Sequence, residues 1–482
     1  MINMKKFLSF SNSAKSDIED TNKEDIDYSV EKGNDHVSYV DELENDELEN
    51  DVVEDEADVM GVNVEDIHSE ELRSKLFYGV LSDFVNIICG ESEALEMALA
   101  SEIITAISIS IPSGYLWTPY AMTKTTPRLN TIIVADTGAG KGLSTSQFNI
   151  IRERINEKYP GLVTPYLMGG IKTIEGVISK IRDVDEDKNN NHEIVDSVGN
   201  QLLIHDEEIS RMFISAKKKP DISQTLRGFF DGVEVASNTK YNPIKCKKPH
   251  VGMFGHISKE ELGDVVNDID IYNGFLNRFV LIYDQRTKSI PFPPKIEDKS
   301  IDYLVEKLSD IINWTKEEER EMKYSECYID LYSKKYEELR NLGENKIEKA
   351  LLTRGAKYTA MYAMIFAALD KSTVIDKGHL ESALAWVNVW EKSVKYIYQS
   401  YSQSILNENN LERKKKIIEF INREIKSKKL NSIGKTPITK AFSGKYSSKE
   451  ITETLKELQL DKNSKIKIVN KKRNAMEISI HD

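Results

Sequence analysis

The sequence predicts an α/β protein with a parallel sheet at its centre. Residues 129–285 alternate short β-branched strands with helical patterns, which is typical of parallel strands joined by helical crossovers. Residues 299–405 show helical periodicity without strand signals, and a chain of 482 residues, 40% of them hydrophobic, is long enough to form several cores. The predicted segments are an acidic tail (1–66), a helical N-terminal segment (67–128), a sheet-containing core (129–298), a further helical region (299–405) and a basic C-terminal domain (411–482).

The charge of the chain is unevenly distributed. Residues 1–71 contain 23 acidic and 5 basic residues, a net charge of −18, whereas residues 411–482 contain 19 basic and 9 acidic residues, a net charge of +10. Residues 1–66 carry too few large apolar side chains to offset the entropy of ordering, so we expect a disordered tail. This tail either shields basic surfaces or recruits a basic partner, or it only keeps the protein in solution. The overall charge of −13 therefore does not exclude a nucleic-acid partner.

The composition excludes several classes of protein. The three cysteines, Cys89, Cys246 and Cys327, are far apart and odd in number, so neither a disulfide framework nor a Cys-x-x-Cys metal site is expected. Residues 1–10 lack the sustained apolar run of a signal peptide. The longest charge-free run, residues 103–123, contains two prolines and a glycine, which makes a membrane-spanning helix improbable. We therefore expect a cytoplasmic protein without a membrane partner.

A glycine-rich turn follows the first strand of the core and leads into a helix. The strand, residues 131–135, runs into Ala135-Asp-Thr-Gly-Ala-Gly-Lys-Gly-Leu-Ser144, and a helix is predicted over residues 144–158. This order is typical of a P-loop, in which successive backbone N–H groups and a helix N-terminus bind phosphate. The residues expected at the phosphates are Asp136, Thr137, Gly138, Ala139, Gly140, Lys141, Gly142 and Leu143, with Lys141 also catalytic.

Two positions depart from the usual P-loop pattern. Ala135 replaces the first glycine, and Gly142 occupies the position where Ser or Thr normally binds Mg²⁺. Ser144, three residues after Lys141, is the candidate replacement for that metal ligand. The alternative interpretation is a strand–turn–helix connection that binds no nucleotide.

The next motif is an apolar strand that ends in carboxylates, Gln201-Leu-Leu-Ile-His-Asp206-Glu207-Glu208. A P-loop ATPase needs one carboxylate to hold Mg²⁺ and another to activate the attacking water. Asp206 fits the first role and Glu207 the second. Charged residues also end many strands that have no such role, so the motif depends on its partnership with the glycine-rich turn.

Two further strands carry polar or basic residues at their ends. His256 closes the strand predicted over residues 250–258, where it could contact the γ-phosphate or its water; the alternative is a core histidine. Arg278 directly precedes the apolar strand over residues 279–283, so the sheet would fix its position. It could supply positive charge to a γ-phosphate bound by a neighbouring subunit, or it is a surface arginine.

The order of these motifs resembles that of the MCM-like AAA+ helicases, and more closely that of a family of P-loop ATPases carried by phages, prophages and plasmids. The matching elements are Pro127-Arg-Leu-Asn130, Leu226-Arg-Gly-Phe-Phe-Asp231-Gly232, Gly274-Phe-Leu-Asn-Arg278-Phe279 and Leu352-Thr-Arg354. The resemblance covers roughly residues 90–400 and implies an AAA+-like P-loop NTPase core with a helical lid over residues 299–405. It also implies ATP and Mg²⁺ as ligands, a hexameric ring, and a nucleotide-sensing role for Arg354 in the lid.

Lysines cluster between the acidic strand and the next strand, where MCM-type proteins place a pore hairpin. Besides residues 217–219 they are Lys240, Lys245, Lys247 and Lys248. A ring helicase needs such cations on its DNA-facing surface, although a solvated loop has the same composition. The C-terminal domain follows a winged-helix order of helices and strands, and the expected wing carries Lys471, Lys472 and Arg473 for contact with phosphate.

The sequence thus predicts an ATP-dependent DNA helicase or translocase that serves the replication of a phage or other mobile element. The expected partners are single-stranded or forked DNA, further copies of the chain in a ring, and replisome proteins bound through the acidic tail. One alternative is an ATP-binding replication initiator with slow hydrolysis, since Gly142 lacks a metal-binding hydroxyl. A second alternative is a small-molecule kinase acting on nucleotides, since similar loops occur in nucleotide kinases.

Overall fold

The structure is a computed structural model that describes residues 64–67, 70–171, 173–183, 199–237, 244–266, 271, 273–460, 464–471 and 475–480. The predicted acidic tail lies outside this part of the chain, apart from residues 64–66. The strands are β1 (Leu116–Tyr120), β2 (Thr123–Thr125), β3 (Asn130–Val134), β4 (Tyr166–Met168), β5 (Gln201–Asp206), β6 (Val235–Ser237), β7 (Ile244–Cys246), β8 (His250–Ile257), β9 (Val280–Tyr283), β10 (Arg320–Glu321), β11 (Lys323–Tyr324), β12 (Val374–Ile375), β13 (Ile433–Gly434), β14 (Ile466–Lys471) and β15 (Ala475–Ile480).

Helices account for most of the remaining described residues. They are α1 (Val64–Ile67), α2 (Glu70–Leu76), α3 (Val80–Phe84), α4 (Glu96–Ser110), α5 (Lys141–Lys158), α6 (Ile174–Ile181), α7 (Ser210–Lys218), α8 (Pro220–Asp231), α9 (Lys259–Val265), α10 (Asp298–Glu317), α11 (Glu326–Arg340), α12 (Lys346–Leu351), α13 (Gly355–Leu369), α14 (Lys377–Lys428), α15 (Lys435–Ala441) and α16 (Ser448–Leu460). A π-helical turn (Val85–Cys89) extends α3, and a 3₁₀ turn (Leu276–Arg278) precedes β9.

The central sheet has five parallel strands in the order β4-β5-β8-β3-β9, which confirms the predicted α/β fold. All residues of β3, β8 and β9 are buried, as expected for parallel strands covered on both faces. Gly252 and Gly255 of β8 lie on opposite faces, where a Cβ would meet Ile109 of α4 and Ile209 before α7. The carboxyl ends of all five strands share one edge, the place where open α/β sheets bind ligands.

Helix α4 is an interior helix that underlies the sheet. Residues 97–110 are all buried, and α4 packs against β3, β5, β8 and α5. A helix that is largely apolar all round is expected in such a position. The predicted N-terminal segment, the sheet and the helical region therefore share one hydrophobic core, which extends from Ile67 to Tyr398.

The helical N-terminal segment is interrupted near its start. Helix α2 ends at Leu76, and Gly79 adopts a left-handed conformation with φ of 58° before α3 begins. The left-handed conformation stops the helix at a residue where glycine bears no steric cost. The apolar spacing typical of a helix continues across this break, so periodicity in the sequence does not reveal it.

The region after the sheet is helical as predicted, with two small additions. Strand β10 pairs with β1 and β11 pairs with β12, each over two residues, too short to produce an alternating sequence signal. Helix α14 runs without a break from Lys377 to Lys428, a length of about 78 Å at 1.5 Å per residue. It therefore passes through the predicted domain boundary at residues 405–411.

The C-terminal domain has its own hydrophobic core, which includes Ile417 of α14 and Ile451 of α16. Its sheet is antiparallel in the order β13-β15-β14, and β14 and β15 form the predicted hairpin. A capping box precedes α16: Ser447 Oγ accepts from the Glu450 N–H at 3.2 Å, and the Glu450 carboxylate accepts from the Ser447 N–H at 2.7 Å. No helix among the described residues is long and apolar enough to cross a membrane.

Candidate functional site

The glycine-rich loop lies at the carboxyl end of β3, directly before α5. Gly138 and Gly140 have φ of 79° and 91°, left-handed values that side chains rarely tolerate. The Ala139 N–H donates to Asp136 O at 3.1 Å, which closes the turn, and the Leu143 N–H donates to Gly140 O at 2.9 Å. Of residues 136–143, all predicted to bind phosphate, residues 136–140 therefore form a tight loop and residues 141–143 begin α5, a geometry suited to an anion.

The Lys141 side chain folds back onto the start of this loop. Its Nζ donates to Ala135 O at 2.8 Å and to Asp136 O at 3.3 Å. Partial burial lowers the pKa of Lys141, while Glu261 and Glu260 of α9 act in the opposite direction. The ammonium is thus held close to the loop backbone, where it can meet an oxyanion bound by the loop amides.

Glu207 faces the first turn of α5. A Cβ built on Gly142 would lie 3.9 Å from Glu207 Oε2, and among the described residues no side chain other than those of its two chain neighbours competes for that point. Glu207 itself is exposed at the end of β5. The structure therefore brings the second carboxylate of the acidic strand next to the glycine-rich loop, as the sequence predicts.

Asp206 ends β5 and is almost fully buried, with 5% of its surface exposed. Its Oδ1 accepts from the Glu208 N–H at 3.0 Å, and its carboxylate lies against the backbone of Gly170, where a Cβ would be 2.0 Å from Oδ2. Strand β8 separates β5 from β3, so Asp206 lies about 10 Å across the sheet from the end of β3. The loop and both carboxylates thus share one edge of the sheet.

His256, predicted as a phosphate sensor, lies beneath the loop. It is 2% exposed, and its Nε2 is 3.5 Å from Thr145 Oγ1 of α5. Burial lowers the pKa of His256 to about 3, with a further contribution from His205, so the ring is neutral. The imidazole therefore lies against the N-terminal part of α5.

The sequence analysis missed a buried polar cluster around this histidine. Thr145 Oγ1 donates to Glu102 Oε2 at 2.8 Å, and His205 Nε2 is 3.3 Å from Glu102 Oε1. Glu102, Thr145 and His205 have no exposed surface. The available signal was a single glutamate in the otherwise uncharged run of α4 after Glu96, a position that is costly to bury without a partner.

Ser144 is placed away from the loop mouth, which argues against its predicted role as a metal ligand. Its hydroxyl donates to Leu95 O at 3.0 Å and accepts from the Leu95 N–H at 2.8 Å, and the side chain is fully buried. Residue 144 is in the first turn of α5 but on the face that packs on α4. Ser144 therefore joins α5 to the residue that begins α4.

Arg278 lies at the opposite edge of the sheet from the glycine-rich loop. It precedes β9, whose residues Val280 and Tyr283 align with Thr131 and Val134 of β3, so about 13 Å of strand separates the two edges. Its guanidinium donates through Nε to Asp231 Oδ2 at 3.2 Å and also binds the carbonyl of Gly274.

Arg354 lies at the same edge as Arg278. Its Nη1 is 3.5 Å from Asp231 Oδ1, and its Nε donates to Asn277 Oδ1 at 3.2 Å. The structure thus brings together the two predicted nucleotide-contacting arginines around Asp231, which had no predicted role. It does not bring Arg354 to the loop of its own chain.

Two further cations surround Asp231. Burial lowers the pKa of Lys357, and the neighbouring charge of Arg354 lowers it further. Arg128 is almost fully buried, which lowers its pKa to about 10. Burial alone would raise the pKa of Asp231, but the hydrogen bond and charge of Arg278 outweigh it and lower that pKa.

The predicted basic hairpin is present at this same edge. Strands β6 and β7 pair as an antiparallel hairpin, with Lys245 on β7 and Lys247 and Lys248 exposed just after it. Asn200 Nδ2 donates to Lys248 O at 2.8 Å, which fixes the end of the hairpin beside the start of β5. Lys240 lies outside the described residues.

The predicted wing is described only in part. Lys471 ends β14, and Lys472 and Arg473 lie outside the described residues. On the neighbouring helix α16, Glu450 pairs with Arg413 and Glu457 pairs with Lys414, each at 2.8 Å. These two carboxylates are therefore directed at α14 of the same domain.

A groove of about 920 Å³ runs along α5, beginning next to the glycine-rich loop. Its α5 wall is formed by Leu143, Gln147, Ile150 and Arg154, and its opposite wall includes Ile87, Ile88, Ile296 and Ile301. Polar and charged side chains, among them Glu91, Arg154 and Asp298, also line the groove, so it is only partly apolar.

Comparisons with known proteins add no name to this site. A scan against protein-family models finds no match, and a search of curated proteins finds no similar sequence. Among the described residues, no three His, Cys, Asp or Glu side chains converge to hold a metal by themselves. The site is therefore characterised by its own geometry: a glycine-rich loop and two carboxylates at one edge of the sheet, and an arginine pair at the other.

Proposed function

We propose that the chain is an ATP-dependent DNA helicase or translocase that works as a homo-oligomeric ring, in the replication of a phage or other mobile element. The observation that carries this proposal is the separation of functional groups between the two edges of the sheet. The glycine-rich loop, Asp206 and Glu207 lie at one edge, and Arg278 and Arg354 lie at the other. A second copy is needed to bring the two sets together.

At the loop edge, the chain has the groups that a nucleoside triphosphate requires. The loop amides and Lys141 would hold the phosphates. The groove that starts at Leu143 would take the base, since it begins beside the loop and has several apolar side chains along α5. This arrangement supports ATP as the ligand, as the sequence predicts.

Asp206 fits the role of Mg²⁺ ligand, because Mg²⁺ sites in proteins commonly use one or two carboxylates together with substrate phosphates and water. Bound Mg²⁺ would neutralise charge on the transferring phosphoryl group. Glu207, exposed and directed at the first turn of α5, would take a proton from the attacking water. His256 is neutral and would act on the nucleotide only indirectly, through Thr145 of α5.

At the other edge, Arg278 and Arg354 would meet the γ-phosphate of a neighbouring copy. Neither can reach the loop of its own chain across the length of the strands. Lys245, Lys247 and Lys248, and Lys471 to Arg473 of the C-terminal hairpin, would contact DNA phosphates. The acidic tail would recruit replisome proteins. Because a replication protein of a phage or other mobile element acts on DNA inside the host cell, we expect it in the host cytoplasm.

Strand displacement on a forked duplex with a single-stranded 3′ or 5′ tail tests this proposal. We expect ATP-dependent unwinding by the full chain, with one tail preferred, and no unwinding by the Lys141→Ala variant. Lys158→Ala, at the far end of the same helix and paired with Glu306, is the matched control and should unwind normally. Absence of ATP-dependent unwinding by the wild-type protein on either tail contradicts the helicase assignment.

A replication initiator that binds ATP and hydrolyses it slowly is the second candidate. The observation that favours it is Gly142, which leaves the position beside Glu207 without a hydroxyl. ATP turnover comparable to that of active ring helicases, with or without DNA, would exclude it.

Gly142→Thr is expected to raise Mg²⁺-dependent ATP turnover if the missing hydroxyl limits hydrolysis. The position has room for the side chain, because outside the local helix the nearest described atom to an added Cβ is Glu207 Oε2 at 3.9 Å. Turnover is measured against Mg²⁺ concentration, with Gly142→Ala as the control that adds a Cβ without a hydroxyl. Equal turnover in the two variants would show that the hydroxyl is not the limiting group.

A further inference from the structure

Asp231 is the carboxylate around which the arginine edge is organised. Among the described residues, it is the one acidic side chain within 4.0 Å of either the Arg278 or the Arg354 guanidinium. Arg278 uses both Nε and Nη2 on Asp231 Oδ2, and Arg354 approaches Oδ1. One carboxylate therefore fixes the directions of two guanidiniums that belong to different parts of the chain.

The surroundings of Asp231 are strongly cationic and partly open. Arg128 and Lys357 also act electrostatically on this site, so four cations surround a single carboxylate. The Asp231 side chain is 30% exposed, and those of Arg278 and Arg354 are 14% and 20% exposed. An incoming phosphate can therefore reach the same donors that Asp231 occupies, and guanidiniums bind carboxylates and phosphates with similar geometry.

Asp231 is also attached to the basic hairpin. Arg128 Nη1 donates to Phe230 O and Arg128 Nη2 to Pro249 O, each at 3.3 Å, so one guanidinium holds the chain on both sides of the β6–β7 hairpin. Gly232 follows Asp231 with φ of 68°, and a Cβ there would lie 2.4 Å from Arg128 Nη1. The end of α8 that carries Asp231 is thus in close contact with the residue that joins the two ends of the hairpin.

We infer that Asp231 is a positioning residue that holds Arg278 and Arg354 for the terminal phosphate of a neighbouring copy and couples the arrival of that phosphate to the β6–β7 hairpin. The inference rests on the proposed function. Phosphate and the Asp231 carboxylate compete for the same guanidinium donors. When phosphate takes them, the end of α8 loses two of its partners, and the hairpin base held through Arg128 is free to shift. The DNA affinity of one copy then depends on the nucleotide that the neighbouring copy has bound.

The test measures the affinity of the full chain for a labelled single-stranded oligonucleotide, with a non-hydrolysable ATP analogue or with ADP. In the wild type we expect different affinities in the two nucleotide states. In Asp231→Asn, the ratio of the DNA affinities measured with the ATP analogue and with ADP is expected to fall to about 1. The reason is that a nucleotide can shift the hairpin only if it binds the two hairpin states with different affinity, and the variant removes that difference. Asp231→Glu, which keeps the charge, should retain part of the dependence. Asp221→Asn, an exposed carboxylate in the first turn of α8, is the matched control and should keep the wild-type ratio.

The effect of DNA on nucleotide affinity is a second measurement, and a purely structural role of Asp231 would not alter it. If the nucleotide changes DNA affinity by some factor, DNA must change nucleotide affinity by the same factor, and Asp231→Asn should abolish both effects together. If that variant fails to fold, Arg354→Gln removes one cation held by Asp231 and should give the same loss. A wild-type ratio in a folded Asp231→Asn protein overturns the inference.

The failure of this inference and the failure of the proposed function give different results. If the wild type unwinds forked DNA with ATP but has the same DNA affinity in both nucleotide states, the role of Asp231 is wrong and the proposed function stands. If the wild type and Lys141→Ala bind ATP equally poorly, the proposed function itself is wrong.

Discussion

Glu207→Gln is expected to lower ATP turnover by about 10²- to 10⁴-fold, the usual contribution of a general base, while ATP binding and DNA binding persist. The amide has nearly the shape of the carboxylate, so the first turn of α5 and the loop should be undisturbed. It cannot accept a proton from water, so the chemical step should slow without a matching change in nucleotide affinity. Steady-state hydrolysis and equilibrium binding of ATP measure the two quantities separately.

The neighbouring Glu208 provides a matched control for this change. Glu208 is exposed and pairs with Arg211 in the same turn, so Glu208→Gln makes the same chemical change one residue further from the loop. We expect turnover close to wild type in Glu208→Gln and no strand separation in Glu207→Gln. Normal unwinding by Glu207→Gln would contradict the assignment of the acidic strand.

The loop edge of the sheet was the most predictable part of the molecule. Strand, glycine-rich turn and helix are local features, and so is an apolar strand that ends in Asp206 and Glu207. Because all five strands are parallel, the carboxyl ends must share one edge, and the neighbourhood of the loop and the carboxylates follows from the fold class. The left-handed conformations of Gly138 and Gly140 follow from the same local pattern.

Residues whose roles depend on distant packing could not be predicted in this way. In the sequence, Ser144 does not differ from other helical residues of α5. Its role depends on the backbone of Leu95, directly before α4, which packing brings next to it. Glu102 and His205 lie 103 residues apart and are brought together only by the packing of α4 on β5. The resemblance implies a nucleotide-sensing role for Arg354, but its contact with Asp231 depends on the packing of α13 against the 3₁₀ turn before β9.

Arg278→Ala is expected to lower the turnover of the assembled protein by about 10³- to 10⁵-fold, the range measured for arginines that act on a neighbouring active site. The physical reason is that a guanidinium stabilises charge on the transferring phosphate. Arg278 lies at the edge opposite its own loop, so it can do this only for another copy. Arg227→Ala is the matched control, because Arg227 binds the backbone of Asn273 at the same edge without contacting Asp231.

Mixing two inactive variants separates action between copies from action within one chain. Lys141→Ala lacks a working loop but keeps Arg278, and Arg278→Ala lacks the arginine but keeps the loop. In a mixed ring, some interfaces combine the intact loop of one copy with the intact arginine of the next, so activity should return when differently tagged variants are expressed together and purified as one assembly. Each variant alone should remain inactive. If Arg278 served its own chain, every subunit in the mixture would lack one group and no activity would return. That result would contradict the proposal that Arg278 acts on the loop of a neighbouring copy.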